Sequence, residues 1–157
     1  MAIKTNILLK YLKTMLHKEV SLESLNLFCK NTLVEVLGIE FTEIGPNYLT
    51  GKMPVDNRTQ QPMGILHGGA SLAFAETLGS AAAILQVDPE KQTCVGLEIN
   101  ANHIKSARSG YVYGKASPIY IGRKTHVWEI KITNDEGELI CISRHTVAVL
   151  DKLNKAD

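Results

Sequence analysis

Cysteine is scarce and scattered in this chain: Cys29, Cys94 and Cys141 are its only three among 157 residues. An odd, widely spaced set argues against a disulfide framework and suits a reducing cytoplasm. No CxxC or HExxH spacing occurs, so no metal site is expected. Charge of one sign is equally lacking. Lys and Arg total 17 against 16 Asp and Glu, a net charge of +1, which gives no reason to expect nucleic acid as a partner. The start, Met1-Ala2-Ile3-Lys4, has neither the apolar run nor the small-residue cleavage site of a secretory signal, and a cytoplasmic location is expected. The least polar stretch, Gly68 to Leu85, carries Glu76 and is rich in Ala and Gly rather than Leu. It reads as a buried helix of a soluble protein, with no membrane span. Internal repeats, linkers and low-complexity tracts are absent.

What is present is one globular domain's worth of apolar residues, 45%, with 21% charged. Residues 3–18 place Ile3, Ile7, Leu8, Tyr11, Leu12, Met15 and Leu16 near one helical face, with Lys4, Lys10, Lys13 and Lys18 among the polar remainder. That pattern suits an N-terminal helix docked on the core or on a neighbouring subunit. Ser21 is placed to cap a second helix carrying Leu22, Leu25, Phe28 and Leu33, which Gly38 would stop. Two alternating runs, 39–44 and 48–53, flank the turn Gly45-Pro46-Asn47. A polar loop leads to the apolar helix. Four strand-like runs follow, at 93–104, 110–119, 123–133 and 138–150, the last two joined by a turn at Asp135-Glu136-Gly137. Val95, Leu97, Ile99, Ala101 and His103 are expected on one face of the first run, and Trp128, Ile130 and Ile132 on one face of the third. Short links imply an antiparallel sheet. One helix covers only one sheet face, so the remaining apolar surface suggests oligomerisation.

Glu76 is the only charged residue of the apolar helix. Buried there, it would be a costly carboxylate with a raised pKa and a better base than a surface Glu. The plainer alternative is a Glu on the helix's exposed stripe or paired with an Arg. His67-Gly68-Gly69 precedes the helix. Glycines at a helix start let a ligand approach free backbone N–H groups at the positive end of the dipole, the physics of an oxyanion hole. The plainer alternative makes His67 a polar cap. Gly68 and Glu76 are separated by about 12 Å along a straight helix at ~1.5 Å per residue. One carbonyl cannot bond both, so a common reaction needs two chains with antiparallel helices, and hence a dimer. His103, Lys105, Arg108, Arg123, Lys124 and Arg144 form a basic set that would suit the phosphates of coenzyme A; the plainer alternative for each is a solvated charge at a strand end.

The string Pro54-Val55-Asp56-Asn57-Arg58-Thr59, with Gln61-Pro62, Gly64-Ile65-Leu66-His67-Gly68-Gly69-Ala70-Ser71 and Ala75-Glu76-Thr77-Leu78-Gly79-Ser80, resembles the hotdog-fold thioesterases. The segment Val95 to His103 and the ending Ser143-Arg144-His145-Thr146 fit as well. The likeness covers roughly residues 22–150. It is greatest to the branch containing the Glu-using 4-hydroxybenzoyl-CoA thioesterase and 1,4-dihydroxy-2-naphthoyl-CoA hydrolase. The resemblance implies an α+β hotdog, a curved antiparallel sheet wrapped around a central helix. It places the thioesterase domain over 21–151; the stretch before Ser21 goes beyond that domain and is read from its own pattern as a helical extension over 1–20, with a tail over 152–157. Glu76 would be nucleophile or general base, and the Gly68 N–H would polarise the thioester carbonyl. Gln61 and His67 would orient carbonyl or water, and Thr77 or Ser80 would assist. Coenzyme A would lie along Val95, Asn102, His103, Ile104, Lys105, Ser106, Arg108, Gly122, Arg123, Lys124 and Arg144. No cofactor beyond the coenzyme A of the substrate is implied, and assembly would be a homodimer at least, commonly a homotetramer. The expected reaction is hydrolysis of an aromatic or related acyl-CoA, 1,4-dihydroxy-2-naphthoyl-CoA being one candidate. A fatty acyl-CoA thioesterase, a non-hydrolysing acyl-CoA binder and a hotdog hydratase are the alternatives.

Overall fold

The computed structural model describes residues 20–152. The helix expected over 3–18 and the tail from 153 onward lie outside the described residues. Ser21 caps α1 (Leu22–Phe28), its hydroxyl accepting from the Ser24 N–H at 3.1 Å. The single helix expected to reach Leu33 is in fact two. Asn31 adopts φ 59, which breaks the first helix. Thr32 caps a second short one, α2 (Leu33–Val36). Local side chains favour the break: Glu35 binds both the Lys30 ammonium at 2.7 Å and the Asn31 N–H at 2.6 Å. Gly38, at φ 69, ends the segment as expected.

Six strands follow in one antiparallel sheet: β1 (Glu40–Ile44), β2 (Leu49–Pro54), β3 (Gln92–His103), β4 (Tyr111–Ile121), β5 (Thr125–Thr133) and β6 (Leu139–Asp151). Their spatial order is β1-β2-β4-β5-β6-β3, so β3 closes one edge. The central helix α3 (Gly68–Ile84) lies across the inner face and packs on β2, β4, β5, β6 and β3. The sheet curls round it, the hotdog arrangement. Trp128, Ile130 and Ile132 all face the helix and are fully buried, as their alternation requires. The hairpin between β5 and β6 turns at Gly137, φ 78. No helix among the described residues is long and apolar enough to cross a membrane.

The expected shared face of β3 is broken. Gly96 pairs with Val147 and Glu98 with Thr146, leaving Leu97 as an extra residue in a bulge. Ile99 and Ala101 pack against the core. Val95 and Leu97, on the far side of the bulge or within it, remain 43% and 62% exposed.

The helix sits close to the sheet because two inward glycines face each other across β2 and β4, Gly51 opposite Gly114. A Cβ at Gly51 would stand 2.9 Å from Leu78 Cδ2, and one at Gly114 would overlap Leu78 Cδ1 and stand 2.9 Å from Phe74 Cε1. Phe74 and Leu78 fill the hollow and are wholly buried. Overpacking of a seated core costs about 1–3 kcal/mol. Gly114→Ala is therefore expected to lower unfolding stability by that amount in urea titration, and an unchanged midpoint would show that the helix seat is not tight.

Candidate active site

The two ends of the α3 segment from Gly68 to Ser80 carry different chemistry. At the N-terminal end, His67 is the cap, its Nδ1 accepting from the Gly69 N–H at 2.8 Å. The capping alternative for His67 is thus realised, and it fixes the ring proton on Nε2. Backbone bonds pin this junction: His67 N–H donates to Thr59 O at 2.8 Å, and Leu66 N–H to Ala107 O at 2.8 Å. Thr59 is itself buried, with its hydroxyl donating to Pro54 O at 2.7 Å. The Gly68 N–H has no bonded partner among the described residues, as expected of a first-turn donor.

Gln61 lies in the tight loop before this cap. Its side-chain oxygen accepts from the Met63 N–H at 2.6 Å. A backbone N–H demands an acceptor, so the carboxamide NH₂ is the part left for a ligand. His103, at the end of β3, packs directly on the helix start: a Cβ at Gly68 would be 2.9 Å from His103 Nε2. Gln61, Gly68, Ser71 and the run His103, Ile104, Lys105 and Ser106 line one cavity of about 370 Å³.

Glu76 stands two turns further along. It is not the buried carboxylate that the apolar helix suggested: its side chain is exposed in the single chain. The buried stripe of α3 is Ala70, Ser71, Phe74, Ala75, Leu78, Gly79, Ala82 and Ala83. Glu76 falls on the flank beside β3, which the sheet does not cover. There its Oε1 lies over Gly96, 3.3 Å from where a Cβ would be. Thr77 spends its proton on its own helix, Oγ1 donating to Ala73 O at 2.7 Å. Ser80 Oγ lies 3.1 Å from Nε2 of His145, a buried histidine on β6.

The basic set does not come together in one chain. Lys105 and Arg108 lie beyond the end of β3, near the start of α3. Gly122, Arg123 and Lys124 form the β4–β5 turn at the opposite end of the sheet, about 30 Å away at ~3.3 Å per residue of β5. Lys105 is paired with Glu138 at 2.7 Å and Lys124 with Asp151 at 2.8 Å. Arg144 is exposed between two inward residues, Ser143 and His145, so it stands on the outer face of β6. Val95 and Asn102 are exposed on the edge strand itself.

Gly96 and His145 escaped the reading of site residues. His145 was visible as a polar residue at an inward position of an otherwise apolar strand. The alternation of β6 was the available signal.

The profile of the thioesterase superfamily matches residues 63–141, a span that contains the cap, α3, Glu76 and the edge strand. The chain belongs to that superfamily and is a thioester hydrolase of the hotdog fold. It is 47% identical over 133 residues to the 1,4-dihydroxy-2-naphthoyl-CoA hydrolase of Escherichia coli, covering 85% of this chain and 97% of that one. It is likewise 47% identical over 133 residues to the proofreading thioesterase EntH of Cronobacter turicensis, covering 85% and 96%. Among solved structures, a thioesterase from Haemophilus influenzae superposes with TM-score 0.85 at 46% identity, over 91% of this chain and 99% of that one.

The contact between Gly68 and His103 yields a direct test. Ala suits a first helical turn, so Gly68→Ala should keep the helix and push only the exposed His103 ring aside. The ring resonances of His103 should move in an NMR spectrum while circular dichroism is unchanged. Unmoved His103 signals would contradict the packing described here.

Proposed function

We propose that this chain hydrolyses an aromatic or related acyl-CoA to the free acid and coenzyme A, 1,4-dihydroxy-2-naphthoyl-CoA being the first substrate to try, at a site built by two copies. The observation that carries the reading is the distance between the two chemical ends of one rigid helix. An N–H donor corner with Gln61, His67 and His103 lies at its start, and a carboxylate lies about 12 Å along it at ~1.5 Å per residue.

The edge strand offers the means of joining them. β3 has 12 residues, lies at the sheet edge and exposes Val95 and Leu97. A long, apolar edge of this kind invites strand pairing. Antiparallel pairing of β3 with its copy is isologous and runs the two α3 helices in opposite directions. The Glu76 of one copy then approaches the Gly68 corner of the other. The same two-fold brings Arg123 and Lys124 of one copy to the end where Lys105 and Arg108 of the other lie. That would reassemble the split basic set for the phosphates of coenzyme A, with Arg108 in no ion pair among the described residues and Asn102, Ile104 and Ser106 along the pantetheine. Pairing would also cover the Glu76 flank and withdraw the carboxylate from water. A homotetramer made of two such dimers, working in the cytoplasm, completes the proposal.

In this arrangement the thioester carbonyl oxygen accepts from the Gly68 N–H, at the positive end of α3, where the developing oxyanion is stabilised. The Gln61 NH₂ and the Nε2–H of His67 are the neighbouring donors that orient carbonyl or water. The Glu76 carboxylate either takes a proton from water as it attacks the carbonyl carbon or attacks that carbon itself. In the first route the C–S bond breaks as water adds; in the second it breaks as a Glu76 anhydride forms, and water then cleaves that anhydride to release the acid and restore the carboxylate. In both, the thiolate leaves with coenzyme A and a proton from water ends on the sulfur. No cofactor takes part.

Release of free thiol from a panel of aromatic and fatty acyl-CoAs tests the reading. An aromatic substrate should have the highest kcat/KM. Glu76→Gln keeps the shape and removes the base, and a lost base costs about 10²–10⁴-fold in rate. Its kcat should fall by at least about 10²-fold while light scattering still gives a dimer or larger. An active monomer, or a correctly assembled Glu76→Gln with wild-type turnover, would overturn it. Binding without thiol release by the wild type would make the chain a non-hydrolysing binder.

A further inference from the structure

Beside Glu76, on the sheet side of the helix, Ser80, an assisting residue by the family resemblance, is paired with an imidazole that the reaction above leaves unused. His145 is only 1% exposed. Its Nδ1 lies 3.0 Å from the Glu98 carbonyl oxygen of β3, and its Nε2 lies 3.1 Å from Ser80 Oγ of α3. A carbonyl can only accept, so Nδ1 carries the ring proton. In the neutral ring Nε2 is then an acceptor, and the Ser80 hydroxyl donates to it. The serine proton is thereby committed to the buried side.

Ser80 is one turn beyond Glu76, so the two side chains are neighbours on the helix surface. Gly96 shows how near the carboxylate and the imidazole come. A Cβ there would stand 3.3 Å from Glu76 Oε1 and 3.0 Å from His145 Cε1. Both groups close on one backbone position that has no side chain. Gly79 makes the matching space on the helix, where a Cβ would stand 2.9 Å from His145 Cδ2. The ring is wedged between helix and strand, with both nitrogens engaged.

A serine hydroxyl free to rotate beside a carboxylate would donate to it. Such a bond stabilises the charged form and weakens the carboxylate as base or nucleophile. We infer that His145 is a positioning residue: it draws the Ser80 proton away from Glu76 and turns the serine lone pairs toward the reacting water. The Glu76 carboxylate is left without a serine donor, and the water gains a second acceptor that aligns it. The inference rests on Glu76 as the reacting carboxylate in the function proposed above.

Two measurements test it, and they fail separately from that function. The first is the ¹⁵N spectrum of the histidine rings in the wild-type protein. It should show His145 as the Nδ1–H tautomer, with an Nε2 resonance that moves in Ser80→Ala. An Nε2–H tautomer, or a resonance indifferent to Ser80, overturns the inference whether or not the protein hydrolyses thioesters. The second is kinetic, on a substrate the wild type turns over. Loss of one positioning hydrogen bond is worth about tenfold, so Ser80→Ala and His145→Leu should each lower kcat about tenfold with KM within about twofold. The double variant should be no slower than the slower single variant, and His145→Gln, whose carboxamide oxygen can accept, should recover most of the loss. Wild-type kcat in His145→Leu, additive losses, or a Gln variant no better than Leu would overturn it. If the Leu variant does not assemble, the tautomer and the Ser80→Ala shift decide.

Discussion

Everything in the site depends on the rigidity of one helix. α3 is a 17-residue rod without Pro, seated on glycines of β2 and β4. Its first turn offers the Gly68 N–H, without a partner among the described residues, and its third a carboxylate, and no movement of the rod can bring the two to one carbonyl. The rest of the site follows from that separation. The donor corner is built by the pinned loop ending at His67, and the carboxylate end is built against β3 at Gly96. In the proposed reaction the two come from different copies, and the exposed edge of β3 is where the fold has room for a second one.

Much of the fold was legible because its periodicities are clean. Trp128, Ile130 and Ile132 alternate with polar residues, and they face the helix as read. The stop at Gly38, the turn at Gly137 and the cap at Ser21 carry local chemistry that acts over a few residues, which sequence displays directly. Two errors share a cause. Asn31 in a left-handed conformation and the bulge at Leu97 each depend on a neighbour's side chain or on a partner strand, and no periodicity announces them.

The site was partly legible for a related reason. Glu76, His67 and Gln61 stand out by residue type in a local string. The burial expected of Glu76 was inferred from its apolar neighbours, yet a helix has flanks, and this one leaves the sheet on the β3 side. The basic residues share only their charge, and the turn at Arg123 and the loop at Lys105 lie at opposite ends of β4. His145 reaches Ser80 from 65 positions away, a pairing set by the position of β6 between β5 and β3 and invisible along the chain.

In the proposed dimer each site takes its carboxylate and its donor corner from different copies. Mixed assembly tests it most directly. Glu76→Gln is unfolded and refolded together with Gln61→Ala/His67→Ala in equal amounts, each alone being nearly inactive in thiol release. Random pairing makes half the dimers mixed, and each mixed dimer regains one intact site, so activity should return to about a quarter of the wild-type rate. A mixture no more active than its two components would contradict the shared site.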